Sequence, residues 1–278
     1  MDIFLILIGF AWVLVASIQD LRKREVWNWL SFSLIITALA YRAFSAAYNS
    51  NIWIFVYGVL GLFVFVILGY ALYYARVFAG GDAKLLFGLG VVLPLSASLV
   101  YNLIIFGGFI VLLLFAGSVY GLIYSFFLVL GNRKSFSIEF SKQLRKYQKF
   151  TLLLSIVAII FIILPIFMRD IVFLLFPVII FLLPVLYVYG KAIENSCMIK
   201  EIRTNQLAEG DWLYEKVRIG KKIVKPYWEG LSSEELKILR KYGRRVKIRV
   251  GIPFVPGFLI AFLILVYLVY SGVLLRFA

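Results

Sequence analysis

The chain contains no histidine among its 278 residues and a single cysteine, Cys197. Without histidine there is no Ser-His or Cys-His nucleophile pair, no histidine proton relay and no common zinc site. One cysteine excludes an internal disulfide and a cysteine-cluster metal site, and Cys197 receives no function. Acids are scarce as well, 14 Asp and Glu against 29 Lys and Arg, for a net charge of +15. The hydrolytic chemistry left open is that of carboxylate pairs, Ser-Lys dyads or hard metals held by carboxylates.

What fills the sequence instead is apolar. Hydrophobic residues make up 63% of the chain, well above a soluble domain, which points to a multispanning membrane protein. A span needs about 20 apolar residues. Candidates run at 3–19, 28–45, 52–75, 83–97, 99–130, 150–168, 171–190 and 254–275. The fourth is short for a crossing. The fifth is long enough to tilt, or to break near Gly107 and Gly108. Pro165, Pro177 and Pro184 are expected to kink the sixth and seventh, which only Met168, Arg169 and Asp170 separate. All Lys and Arg except Arg42, Arg169 and Arg276 fall on one side of this map. That imbalance places the basic loops, including 131–149, in the cytosol and both termini outside. The positive charge then reads as topology and attraction to anionic membrane lipids rather than nucleic-acid binding.

The expected fold is an all-α polytopic membrane bundle of about 6–8 transmembrane helices. A small cytosolic α+β domain is inserted before the last helix. Residues 1–190 form the bundle, 191–250 the soluble module and 251–278 the final span. In the module, "LSSEELKILRKYG" has Ser232 and Glu235 at capping-box spacing and Gly243 as a stop, predicting a short helix. "RRVKIRV" alternates, with Val246, Ile248 and Val250 on one face, predicting a strand. "YEKVRIGKKIVKPYW" predicts a hairpin turning near Gly220.

Among the acids, two fall at the cytosolic ends of predicted spans. Asp20 ends the first, in "IQDLRKREVWNW", and Asp82 opens the fourth, in "FAGGDAKLL". Two carboxyl groups sharing a proton can activate a water and protonate a leaving amine, which is the minimum equipment of aspartyl hydrolysis. Gly80 and Gly81 allow close approach of a substrate strand or a partner helix to the Asp82 backbone. The competing reading is structural: Asp82 as a helix cap, Asp20 as an interfacial charge neutralised by Arg22 or Lys23.

These two segments resemble motifs of the type IV prepilin peptidase family. Asp20 with its basic followers and "REVWN" is similar to that family's first-aspartate region, and "AGGDAKLL" to its G-x-G-D motif. Ala79 stands where the family usually has glycine, and Trp27 where it usually has proline. The layout resembles the archaeal branch, which includes preflagellin (prearchaellin) peptidases, down to a "GIPFVPG" opening of the last span. The resemblance implies a membrane aspartyl endopeptidase, without cofactor or metal. Its partners would be pilin-like or archaellin precursors, whose short basic leader is cut at the cytosolic face. It implies Asp20 and Asp82 as the catalytic dyad. Gly251, Pro253 and Pro256 are expected to line the cleft, or else simply to kink a helix start.

Lys84 is expected to hold a lipid phosphate, tune the dyad or anchor the interface. The acidic run Glu209, Asp211 and Glu215 is either an acceptor for a basic leader or a solvated face. The helices at 150–190 are extra relative to smaller archaeal members. A Ser-Lys protease fails for want of an intramembrane lysine. A transporter, whose charges sit mid-span, and a non-catalytic assembly scaffold remain as alternatives.

Overall fold

The computed structural model describes residues 2–163, 170–219, 222–227 and 230–274. It divides into two compact units, Met1–Ile123 with Ile252–Ala278, and Tyr124–Gly251. Among the described residues, five helices are long and apolar enough to cross a membrane, and two shorter apolar helices accompany them. The result is a polytopic helical bundle with a small α+β region, as the hydropathy pattern predicts.

The first unit begins with α1 (Ile3–Lys23), which Asp2 caps by accepting from the Phe4 and Leu5 amides. It ends at Arg24, whose left-handed backbone lets its N–H reach the Asp20 carbonyl. Then follow α2 (Asn28–Tyr48), α3 (Trp53–Tyr74), α4 (Gly80–Val92) and α5 (Leu99–Gly131). The expected break of the fifth span at Gly107 and Gly108 does not occur, and α5 is one helix of 33 residues. In an apolar setting no water competes for the backbone bonds, so two glycines do not end a helix.

At 13 residues α4 is too short for a crossing, about 20 Å at 1.5 Å per residue against a core of about 30 Å. It lies instead at the centre of the unit. Asp82, Ala83 and every residue from Leu85 to Val92 are buried, packed mainly against α3 and α2. The neighbours admit it by presenting glycine. The buried residues of α3 are Gly58, Gly61, Phe65 and Gly69, while Phe63, Ile67, Tyr70 and Tyr74 face outward. A Cβ on Gly61 would land on the Gly90 carbonyl, and one on Gly90 on the Gly61 carbonyl, so the two backbones touch. Small residues inside and bulky apolar ones outside is the pattern of helices packed in lipid.

A short helix ending inside a bundle leaves its last carbonyls without partners. Arg42 supplies them. It is 3% exposed. Its Nε donates to the Val91 carbonyl (2.7 Å), and Nη2 to those of Val92 (3.2 Å) and Pro94 (2.7 Å). Nη1 donates to the Ile54 carbonyl at 3.1 Å. Gly58 leaves the room that the arginine stem occupies. The sequence reading had used Arg42 only as a marker of sidedness. Beyond it, Asn102 fixes the connection to α5, accepting from the Ser96 amide (3.0 Å) and donating to its carbonyl (2.9 Å). The unit closes with α10 (Val255–Tyr270).

The second unit carries α6 (Arg133–Lys146), α7 (Gln148–Phe161), a 3-10 turn at Ile171–Leu174 and α8 (Leu175–Ser196). The basic stretch read as a loop is thus mostly helix. Charge counting assigns a side, not a conformation, and Glu139 stabilises this helix through Lys142 and Gln143, three and four residues on. Pro165, Met168 and Arg169 lie outside the described residues. Pro177 falls in the first turn of α8, where no amide partner is lost, and Pro184 inside it.

Strands β1 (Ile199–Arg203), β2 (Trp212–Leu213) and β5 (Arg245–Arg249) form an antiparallel sheet in the order β1-β5-β2. A hairpin pairs β3 (Val217–Ile219) with β4 (Lys222–Val224); the turn expected near Gly220 falls outside the described residues. The predicted capping box opens α9 (Ser233–Tyr242), with the Ser232 amide on Glu235 and the Glu235 amide on the Ser232 hydroxyl. Gly243 ends it at φ 66°. Leu236 and Leu239 pack with Val246 and Ile248, the predicted inner face of the strand, in one small core.

Replacing Arg42 by Lys should lower unfolding stability by about 3 kcal/mol, because one ammonium cannot serve four diverging carbonyls and each buried carbonyl left unmet costs roughly 1–3 kcal/mol. Thermal unfolding of the purified protein in neutral detergent checks this.

Candidate active site

Asp20 lies one turn from the end of α1 and Asp82 in the first turn of α4, and both side chains are buried, 6% and 9% exposed. The two carboxylates are near enough for the charge of Asp20 to act on Asp82. Each is held by a backbone amide. Asp82 Oδ2 accepts from Ala79 N–H at 3.1 Å, one half of a capping box whose other half alanine cannot supply. Asp20 Oδ2 accepts from Val255 N–H at 2.8 Å, at the first turn of α10.

Val255 is gripped twice. Ser17, three residues before Asp20 on the same face of α1, donates its hydroxyl to the Val255 carbonyl at 3.3 Å and to the Val13 carbonyl at 2.8 Å. The stretch 252–257 therefore meets α1 at Asp20. Pro256 is buried in the first turn of α10, where its missing amide is no loss, and Pro253 is buried ahead of it. Gly257 packs on the backbone of α5 at Gly117. Gly251 belongs to the second unit.

An aromatic cluster joins the two motif stretches. Phe78, 4% exposed, lies 5.4 Å from the Phe254 ring and 5.6 Å from Phe258. The Phe254 ring covers Gly117, where a Cβ would strike it. Gly81 faces Val26 at ordinary contact distance, and Gly80 has only Tyr73 nearby, so neither backbone is crowded. Lys84 Nζ donates to Asn28 Oδ1 at 2.7 Å, tying α4 to the start of α2. Lys23 lies over the Trp27 ring, 4.8 Å from its centre.

The acidic run Glu209, Asp211 and Glu215 is spread over separate tasks. Asp211 Oδ2 accepts from the Ala208 amide at 2.8 Å, Glu215 pairs with Lys247 at 3.5 Å and Glu209 is exposed. Burial pushes the Asp211 carboxyl above its ordinary range, opposed by that amide. No group of three or more His, Cys, Asp or Glu side chains placed to hold a metal occurs among the described residues.

Sequence reasoning missed Ser17, Phe78, Phe254 and the Lys84–Asn28 link. A signal for Ser17 existed in its spacing from Asp20. The aromatics had none, because phenylalanine is abundant throughout the chain.

Several known proteins are similar to parts of this chain. Residues 7–128 match the model of the type IV leader peptidase family. A preflagellin peptidase of Methanocaldococcus jannaschii is 31% identical over 88 residues, 32% of this chain and 37% of that relative. One of Methanococcus voltae is 28% identical over 95 residues, 34% and 40%. The prepilin peptidase EppA of Methanothermobacter thermautotrophicus is 29% identical over 150 residues, 48% and 38%. The matches thus span about two fifths of these relatives' lengths. No solved structure matches significantly. With its apolar helices, this places the chain among integral membrane proteins.

Two outcomes are expected. Asp20→Asn keeps an acceptor for Val255 and should hold its unfolding midpoint, whereas Asp20→Ala strands a buried amide and should cost about 1–3 kcal/mol in detergent unfolding. The folded protein holds the Asp211 proton to higher pH than the unfolded chain, so stability falls as pH rises through those two values. Asp211→Asn should therefore raise the midpoint at neutral pH, and the gain should vanish in acid, as thermal unfolding across pH will show.

Proposed function

We propose that this chain is a membrane-embedded aspartyl endopeptidase that removes the short basic leader of type IV pilin-like or archaellin precursors at the cytosolic membrane face. The observation that carries the reading is that Asp20 and Asp82, from two motif stretches far apart in sequence, are both buried in one unit, close enough for the charge of one to act on the other. Both lie inside the region that matches the leader peptidase family. The names of the relatives, preflagellin and prepilin peptidase, support the substrate class.

In this reading the ionised carboxylate of the pair takes a proton from water as the water oxygen bonds to the scissile carbonyl carbon. The protonated partner donates to the carbonyl oxygen, giving a neutral tetrahedral intermediate. Collapse breaks the C–N bond: the leaving amine takes the proton from the dyad while a hydroxyl of the intermediate returns one to it, so the product acid is released and the pair again shares one proton. Amides from Ala79 and Val255 orient the carboxylates, and Phe78, Phe254 and Phe258 form an apolar wall in the same unit. The excess of Lys and Arg in the basic loops supports a cytosolic position for this chemistry, with both termini outside.

A second reading has an observation of its own. Each aspartate also caps backbone amides, a role that a non-catalytic scaffold for pilus or archaellum assembly would keep. Asparagine separates the two, since it retains an accepting oxygen but cannot cycle a proton. Membranes containing wild type, Asp20→Asn or Asp82→Asn are mixed with a tagged prepilin or prearchaellin, and leader loss is read on gels. Wild type should trim the precursor, and each variant, folded by its unfolding midpoint, should be slower by about 10²–10⁴-fold. Near-full activity in either variant defeats the dyad; no cleavage by wild type defeats the substrate assignment.

A further inference from the structure

The soluble region holds a second feature that the proteolytic reading does not use. A pocket of about 530 Å³ is lined by Arg203, Arg240, Arg244 and Arg245, with Thr204 and Asn205. Its volume falls within the roughly 300–1,000 Å³ of small-molecule sites. The arginines come from the end of β1, the last turn of α9 and the start of β5, all in one compact unit.

The local structure sets these charges against each other. Arg203 and Arg245 are direct cross-strand partners in the β1–β5 ladder, a position where like charges destabilise a sheet. Among the described residues neither makes an ion pair or side-chain hydrogen bond. Four acids of the unit are engaged elsewhere. Glu194 pairs with Lys191 and Arg249, Glu215 with Lys247, Glu235 with the Ser232 cap and Asp211 with Ala208. Glu201, two residues before Arg203, stands opposite Lys247. Arg240 donates to the Leu207 carbonyl at 3.0 Å. The C-terminus of α9 brings about half a negative charge to the pocket, a small offset against four guanidinium groups.

We propose that this pocket binds a phosphate group, either a phosphomonoester headgroup of a lipid or a soluble phosphate. A phosphate brings up to two negative charges and several acceptor oxygens, which guanidinium forks engage in pairs. The volume leaves room for an attached organic group. Binding relieves the Arg203–Arg245 repulsion that the ladder builds in.

The test uses the full chain in neutral detergent. Binding of radiolabelled inorganic phosphate is measured by equilibrium dialysis, and calorimetric titration uses micelles doped with phosphatidic acid or with phosphatidylcholine. Arg203→Gln with Arg245→Gln is compared with Lys225→Gln with Lys237→Gln, which removes the same charge away from the pocket. Wild type and the lysine variant should bind saturably, and the arginine variant at least tenfold more weakly. Without phosphate the arginine variant should unfold at or above the wild-type temperature. Should it fail to fold, Arg203→Lys with Arg245→Lys keeps the charge, loses the forks and should still bind several-fold more weakly. Tighter binding of phosphatidic acid than of free phosphate assigns a headgroup, and equal binding a soluble phosphate. Absence of saturable binding in both forms overturns the proposal, as does equal weakening by the lysine variant.

Discussion

The first unit depends on how one short helix is allowed to end. A buried helix of 13 residues stops among apolar neighbours, where no water can take its last carbonyls. The Arg42 guanidinium takes three carbonyls at that end and a fourth from α3. A planar cation with five donors suits this task, because the negative end of the helix dipole sits there too. The opposite end carries Asp82, accepting from Ala79 N–H. A basic side chain thus stands at one end of α4 and an acidic one at the other, each at the pole that favours its ionised form.

Holding α4 in this way positions the candidate site. Once Gly58, Gly61 and Gly69 let α3 close on it, the first turn of α4 is a fixed platform from which Asp82 projects. The partner carboxylate is set by a different device. Ser17 and Asp20 together bind both backbone groups of Val255, so α1 and the start of α10 orient each other. Neither aspartate depends on a flexible loop for its placement, which is what a preorganised pair requires.

Much of this was legible in the sequence. The apolar excess and the basic asymmetry gave a polytopic bundle with a small α+β insertion. The Ser232–Glu235 spacing gave a capped helix, and the alternation at Val246 and Ile248 gave a strand. The two motif stretches pointed to Asp20 and Asp82. What stayed hidden depends on helices meeting in space. Arg42 was counted as a boundary charge, although a lone ionisable residue within an apolar span is itself a sign of interior work. The α3 glycines looked like ordinary members of an apolar run, because their value lies in the backbone they touch, at Gly90. The basic stretch before α7 looks like a loop in the sequence, since charge reports the side of a membrane and not the local conformation.

The bond between Asp20 and Val255 spans 235 positions of chain. During synthesis α1 is made long before the segment whose amide fixes its aspartate. Contacts this distant in sequence form late and close a very large loop. Until α10 is made, the Asp20 carboxylate lacks the amide that orients it, whereas Asp82 finds its own in Ala79, three residues away.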